Sequence, residues 1–276
     1  MAVNLPHLPD VTKVSPRVIR VLGGNPSKFA LQGTNTYIVG QGPERILIDT
    51  GEGKPIWSES LQRVLEQESI KISQVILTHW HPDHVRGVPD LLKLCPNAKV
   101  HKNQLYKSND LDIADGQIFH TDGATLKAFH CPGHTVDHMA LILLEEDAMF
   151  TGDNVLGHGT AVFEDLAAYI DSLGRMQYQF GGCAYPAHGE VIEDGKTKIR
   201  EYIAHRKERE EQVLNVLKSG TSKSMDMVKI IYKEYPESLH VPAEGGVLQI
   251  LKKLELEGKI QGHASGTWDL TDKATL

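Results

Sequence analysis

The sequence predicts an α/β fold, sheets covered by helices, followed by a small and mainly helical C-terminal module. Three observations lead there. Short apolar runs bounded by Gly-rich turns alternate with segments of helical apolar spacing. Several of those runs stop at an Asp or a His. After about Lys196 the alternation gives way to long, charged helical periodicity.

Taken in order, RVIRVLG, NTYIVG and ERILIDTG read as short strands split by turns. Pro55 to Glu68 has the spacing of an amphipathic helix, ISQVILTHW returns to strand, and GVPDLLKL from Gly87 reads as a second helix. ATLKAFHCPGH, MALILLEEDAMFTGDN and GGCAYPAHGE follow, each an apolar stretch ending in Asp or His. KTKIREYIAHRKEREEQVLNVLKSG then reads as one long helix stopped by Gly220. TSKSMDMVKIIYKEY and GGVLQILKKLELEGKIQG give two short helices, the second running into a strand-like end. Helix, helix and small hairpin outline a winged helix, so the chain divides near residue 205 into units 1–204 and 205–276.

Composition bounds the function. The 276 residues are 40% hydrophobic and 24% charged, without a low-complexity tract, as in an ordinary globule. No window approaches the ~18 apolar residues of a membrane span, so no membrane partner is expected. From Arg200 onward twelve Lys and Arg balance twelve Asp and Glu, which leaves the whole net charge of −7 in the first 199 residues. That is no basic footprint for nucleic acid, and the winged-helix outline reads as a packing appendage rather than a DNA reader. Cys95, Cys131 and Cys183 are widely spaced and outside any CxxC pattern, which excludes a disulfide framework. Without a secretory signal, the expectation is the cytoplasm, with the mitochondrial matrix as the alternative. No oligomeric state is specified.

The chemistry concentrates in His79-Trp80-His81-Pro82-Asp83-His84, directly behind a strand. His79 and His81 can grip one ion from an extended loop, and Asp83 with His84 can turn to a second. Imidazole and carboxylate together suit zinc; Trp80 reads as packing. Two ions need more donors, and PGH at His134, TGDN at Asp153 and AHG at His188 supply them, each after an apolar segment.

In order, HxHxDH, GH, GD and HG, preceded by Asp49 in ILIDTG, resemble the hydrolase branch of the metallo-β-lactamase superfamily. The resemblance covers residues ~15–200 and implies a four-layer αββα sandwich with the site at one edge of its two sheets. It implies two Zn²⁺ per chain: His79, His81 and His134 on the first, Asp83, His84 and His188 on the second, and Asp153 between them. Asp49 would brace the motif loop by hydrogen bonds. Two zincs would turn a shared water into a nucleophile near neutral pH, with Asp83 also taking up a proton. No Gly-x-Ser-x-Gly elbow offers an alternative nucleophile. Asp153 where some antibiotic-hydrolysing members have Cys argues against a β-lactamase. His81 where flavo-diiron proteins carry an acid argues against redox use.

GGNPSKFALQGTNTYIVG, THWHPDH, PGHTVDHMALILLEEDAMFTGD and YPAHGEVIEDGKTKI resemble the lactamase-β-like endoribonucleases, over nearly the whole chain. That likeness implies a single-stranded RNA substrate. GTNTY, GDNVLGHG and VFEDL also resemble thioesterases that release polyketide chains from carrier proteins; the tail of glyoxalase II is absent. A non-catalytic binding protein that keeps the fold is the third reading. Asn35 and Thr36 could donate to a substrate oxygen, or serve turn chemistry. His138 and His158 could shuttle protons or brace ligands. His205, Arg206 and Arg209 share one side of the long helix and could meet a phosphate or carboxylate, or form a solvated face.

Overall fold

The structure is a computed structural model that describes residues 5–104 and 110–272. Strands β1 (Val11–Lys13), β2 (Val18–Leu22), β3 (Asn35–Val39) and β4 (Glu44–Ile48) lead into helix α1 (Pro55–Gln67) and strand β5 (Lys71–Leu77). Two short helices, α2 (Pro82–Val85) and α3 (Val88–Leu94), precede β6 (Lys99–Lys102) and β7 (Leu111–Asp112). These seven strands form one sheet in chain order, antiparallel as far as β4 and parallel from β4 to β7. The second sheet contains β8 (Ile118–Thr121), β9 (Ala124–His130), β10 (Met139–Leu143), β11 (Ala148–Gly152) and, after α4 (Leu166–Met176), β12 (Ala184–Pro186). Its order is β12-β11-β10-β9-β8, with β11 and β12 parallel.

The two sheets face each other across Val18, Tyr37, Val39, Ile48 and Ile76 on one side and Leu126, Met139, Leu141 and Phe150 on the other, all buried. The outer face of the first sheet buries Ile19, Ile38, Leu47 and Val75 against Trp57, Leu61 and Val64 of α1 and Leu91 of α3. The outer face of the second packs Ala140, Ile142 and Met149 against Tyr169, Leu173 and Met176 of α4 and Ile199 and Tyr202 of the long helix α5 (Gly195–Leu217). Helix, sheet, sheet, helix is the expected four-layer sandwich, and it covers both faces of its inner strands, which is why β2, β3 and β10 are buried at every position rather than alternately.

The remaining elements are β13 (Ser222–Lys223), α6 (Ser224–Ile231), α7 (His240–Leu256), β14 (Ile260–Gly262) and β15 (Thr267–Leu270), with the three strands paired as β13-β15-β14. This is a winged helix, as the sequence outline suggested. Its core of Met227, Val228, Val247, Leu251 and Ile260 is continuous, through Val213 and Leu217 of α5, with the outer layer on the second sheet. Helix α5 runs unbroken through residue 205, so one helix belongs to both units.

Three local details go beyond the sequence reading. Helix α4 was not anticipated: its stretch LAAYIDSLGRM holds a Gly and sits behind a loop, but Asp165 caps it by accepting from the Ala168 N–H and one face is buried. The apolar stretch MALILLEEDAMFTGDN resolves into two strands, because Asp147 at φ 48° reverses the chain between them. Helix α7 begins at His240 rather than at Gly245, since burial of Val247, Ile250, Leu251 and Leu254 outweighs the weak helix propensity of its glycines.

Candidate metal centre

The HxHxDH loop leaves the C-terminal end of β5, and Asp49 leaves that of β4. These strands are parallel, with Ile48 beside Ile76, so Asp49 comes to lie against the loop. In the other sheet β11 and β12 are parallel as well, which brings Asp153 and His188 out side by side. Thr34, just before β3, bridges to His188, and the Asn35 N–H donates to the Ala187 carbonyl, tying the two sheets together at this edge. Strand direction thus gathers seven donors from distant parts of the chain.

Two glycines fix the loops. Gly133, at φ 135°, passes so close to α4 that a Cβ would sit 2.3 Å from Tyr169 Cα. At Gly152, φ 52°, a Cβ would lie 2.5 Å from His138 Nε2. That nitrogen accepts from the Asp153 N–H at 3.1 Å, so the glycine leaves room for the bond that sets the Asp153 backbone.

His79, His81, His134 and Asp153 form one group of donors that could hold a metal ion, and Asp83, His84 and His188 form another. His81 Nδ1 lies 3.0 Å from both His79 Nε2 and His134 Nε2. The other nitrogens of those two rings are committed. His134 Nδ1–H donates to the Val162 carbonyl at 2.8 Å, and His79 Nδ1–H to Thr78 Oγ1, whose own proton goes to Asp49 Oδ2. Two lone pairs therefore converge on His81, which can satisfy at most one with a proton. In the second group His84 Nδ1–H donates to Asp49 Oδ2 at 2.8 Å, leaving His84 Nε2 buried with no hydrogen-bond partner. Asp153 spans the groups: Oδ2 is 3.4 Å from His134 Nε2, and Oδ1, also without a hydrogen-bond partner, is 3.5 Å from His84 Nε2 and 3.2 Å from His188 Nε2. Asp83 Oδ2 lies 3.4 Å from both His84 Nε2 and His188 Nε2 and accepts from Thr34 Oγ1. Neutral nitrogens and carboxylate oxygens turned inward without protons to share are a donor set that a divalent cation completes.

Electrostatics agree. Burial, with the neighbouring imidazoles, pushes His79 well below the usual range and His81 down to about 4. Burial would lower His188 too, but Asp153 and Asp83 reverse that and hold it at about 9; the same carboxylates, with Asp49, raise His84. Burial opposes ionisation of Asp83 and Asp153, yet the surrounding histidines outweigh it and hold both carboxyls far below their ordinary value. Carboxylates held ionised among inward-facing imidazoles are a charge pattern that suits a bound cation.

His81, Asp83, His134, Asp153 and His188 form the floor of a pocket of about 460 Å³, with His79 and His84 buried behind them. Its walls are Lys28, Phe29, Leu31, Leu156, His158, Gly159, Thr160, Ala161 and Val162. Phe29 is 72% exposed and Val162 58%, so the mouth is apolar and open. No sequence pattern singled out Lys28, Phe29 or Val162, because loop residues that gain meaning only by facing a site carry no periodicity.

Several expectations are corrected by these positions. Asn35 is buried and spends its amide on the Pro186 and Gly189 carbonyls, and Thr36 donates to Val21 O and accepts from Trp57 Nε1; neither can reach a substrate. His138 is fully buried, with Nε2 on the Asp153 N–H and Nδ1 beside Cys131 Sγ and the Asn154 amide, so it is no proton shuttle. His158 is exposed and lines the pocket in front of the donors instead of bracing them from behind. His205, Arg206 and Arg209 line no part of the pocket. Arg206 donates to the Ala161 carbonyl at 2.8 Å and lies over the Phe163 ring, whereas Arg209 lies over Tyr232 of the C-terminal unit. Trp80, read as packing, is 46% exposed and stands edge-on to His81. Cys131 is buried, and burial pushes its thiol up to about 12, as expected of a structural cysteine. Among the described residues no helix is long and apolar enough to cross a membrane.

With the sandwich and this donor set in view, comparison with known proteins defines the class. Residues 30–196 match the model of the metallo-beta-lactamase superfamily, and residues 224–268 that of the beta-lactamase associated winged helix domain. The chain belongs to the metallo-β-lactamase superfamily. An atrochrysone carboxyl ACP thioesterase of Aspergillus chevalieri is 49% identical over 260 residues, covering 94% of this chain and 83% of its own. A second protein of that name, from Claviceps purpurea, is 49% identical over 241 residues, 86% of this chain and 77% of its own. Among solved structures, a beta-lactamase domain protein from Burkholderia ambifaria superposes with a TM-score of 0.81 at 19% identity, over 98% of this chain and 96% of that one, and supports the fold of both units.

Proposed function

We propose that this enzyme, a metal-dependent hydrolase, hydrolyses an acyl thioester carried on an acyl carrier protein, using two divalent cations, with zinc the best chemical match. The observation that carries the reading is the pocket: a floor of metal-type donors, with His81, Asp83, His134, Asp153 and His188 lining it, under a mouth of exposed Phe29 and Val162 beside half-buried Leu31. Relatives named as carrier-protein thioesterases along most of this chain support it.

Metal ions held by these donors supply an acidified water and a positive charge for a carbonyl oxygen. The protein does the rest. His79, His134 and His84 are locked in one tautomer by Thr78, the Val162 carbonyl and Asp49, so their inward nitrogens need no reorganisation. Asp83 is the most solvent-exposed carboxylate of the set, its position fixed by Thr34, and can hand a proton to solvent. The acyl chain finds apolar wall in Phe29, Leu31, Leu156 and Val162. A thiolate leaves readily near neutral pH because thiols ionise near pH 8.5, which makes the absence of a buried general acid above the floor no obstacle.

The single-stranded RNA reading loses the cations it relied on. Arg206 and Arg209 are committed to Ala161, Phe163 and Tyr232, and among the described residues Lys28 is the one lysine or arginine lining the pocket. A labelled RNA and an acyl thioester offered to the same metal-loaded protein should yield thiol release without strand cleavage. Strand cleavage without thiol release would reverse the assignment.

A further inference from the structure

A second pocket, of about 510 Å³, adjoins the first and shares Phe29 and Asp83 with it. Its walls come from three loops: Gly24–Ala30, the Glu52–Lys54 turn before α1, and Pro82–Arg86. Phe29 stands between the pockets, so a ligand too long for one would continue into the other past that ring.

The second pocket differs in chemistry from the first. Arg86 is exposed, and among the described residues its guanidinium makes no ion pair or hydrogen bond; the same holds for the Lys28 ammonium beside Phe29. Lys54 is also present, with Glu52 at 3.3 Å as its partner. Helix α1 starts at this wall with no side-chain cap and no acidic residue in its first turn, which leaves its positive end open toward the groove. Arg86 lines this pocket and Lys28 the first, with Phe29 lining both, while Lys54 is held by Glu52 and Asp83 belongs to the metal-type donors. Two cations without a partner among the described residues, one in each of two adjoining pockets, are a place for an anion.

Resting on the thioesterase reading, we propose that this groove binds the phosphorylated pantetheine arm on which a carrier protein presents its acyl chain, with Arg86 and Lys28 receiving the phosphate. The acyl group then occupies the apolar pocket, the thioester lies over the donors near Asp83, and the arm leaves past Phe29. No bond is made or broken in the groove; it supplies binding and orientation for the thioester at its neighbour.

The test compares two thioesters of one acyl group, on phosphopantetheine and on pantetheine, which lacks only the phosphate. For the intact protein kcat/KM should be at least about tenfold higher with the phosphorylated arm, the worth of one charge-assisted contact. In Arg86→Ala, and more so in Arg86→Glu, the ratio of the two kcat/KM values should fall toward one, chiefly through KM of the phosphorylated substrate, and Arg86→Lys should restore part of it. Because the ratio is taken within each protein, a loss of folded enzyme cancels. An unchanged ratio in Arg86→Glu, or equal kcat/KM for both substrates in the intact protein, overturns the groove while leaving the thioesterase intact. Hydrolysis of neither substrate overturns the thioesterase reading itself.

Discussion

At the scale of single residues, the site depends on groups that never touch a substrate. Asp49 takes the Thr78 N–H at 2.8 Å, the Thr78 hydroxyl at 2.9 Å and the His84 Nδ1–H at 2.8 Å, and it does so from a left-handed backbone at φ 58°. It thereby orients His84 directly and His79 through Thr78. Asp49→Ala should weaken metal binding about 10–100-fold, measurable by competition with a chromophoric chelator; unchanged affinity would show that the loop holds itself. Gly133→Ala should cost about 2–4 kcal/mol, from a strained φ and a backbone clash with Tyr169, and it should misplace His134. A melting temperature equal to that of the parent would contradict this packing. These dependencies explain what was legible. His79, His81, Asp83, His84, His134, Asp153 and His188 could be found in the sequence because a metal donor must be one of few residue types and sits at strand ends. Asn35, Thr36 and His138 were each left between two tasks, and for His138 it is the brace rather than the proton shuttle that the Asp153 N–H supports, because a buried polar residue and a substrate-facing one look alike until partners are known.

At the scale of elements, direction matters more than propensity. The site exists because β4 runs parallel to β5 and β11 to β12, so that successive loops emerge at one edge. The apolar runs that announced these strands were plain in the sequence. Helix α4 was not, since its stability comes from Tyr169, Leu173 and Met176 packing on a sheet far away in sequence. Helix α5 shows the same effect in its charges: a face that could be solvated or functional is instead partly structural. Arg206 ties α5 to the segment that walls the pocket through Ala161. Arg206→Ala should cost about 1–3 kcal/mol and raise KM several-fold with metal content unchanged. A loss of bound metal or a pure kcat effect would assign this arginine a different task.

At the scale of the whole molecule, the sandwich and the winged helix share one buried layer. Ile199 and Tyr202 face the second sheet while Val213, Leu217, Val247 and Leu251 continue the same cluster. A chain ending near residue 200 would expose Leu173 and Met176 as well as its new end, at roughly 1.5–3 kcal/mol per large side chain against a total stability of about 5–15 kcal/mol. It should be insoluble or melt without cooperativity, and a soluble fragment with a sharp transition would separate the two units. The resemblance put single-stranded RNA first although the charge balance argued against nucleic acid, and the relatives favour the thioester that stood second. The proposed hydrolysis of an acyl thioester by two metal ions in this pocket is open to direct test. The most direct measurement is thiol release from a carrier-bound acyl thioester by chelator-stripped protein, titrated with zinc. The expected result is no release without metal and a rate that climbs until two equivalents per chain are bound. A rate indifferent to stripping, or no release at any loading, would contradict it.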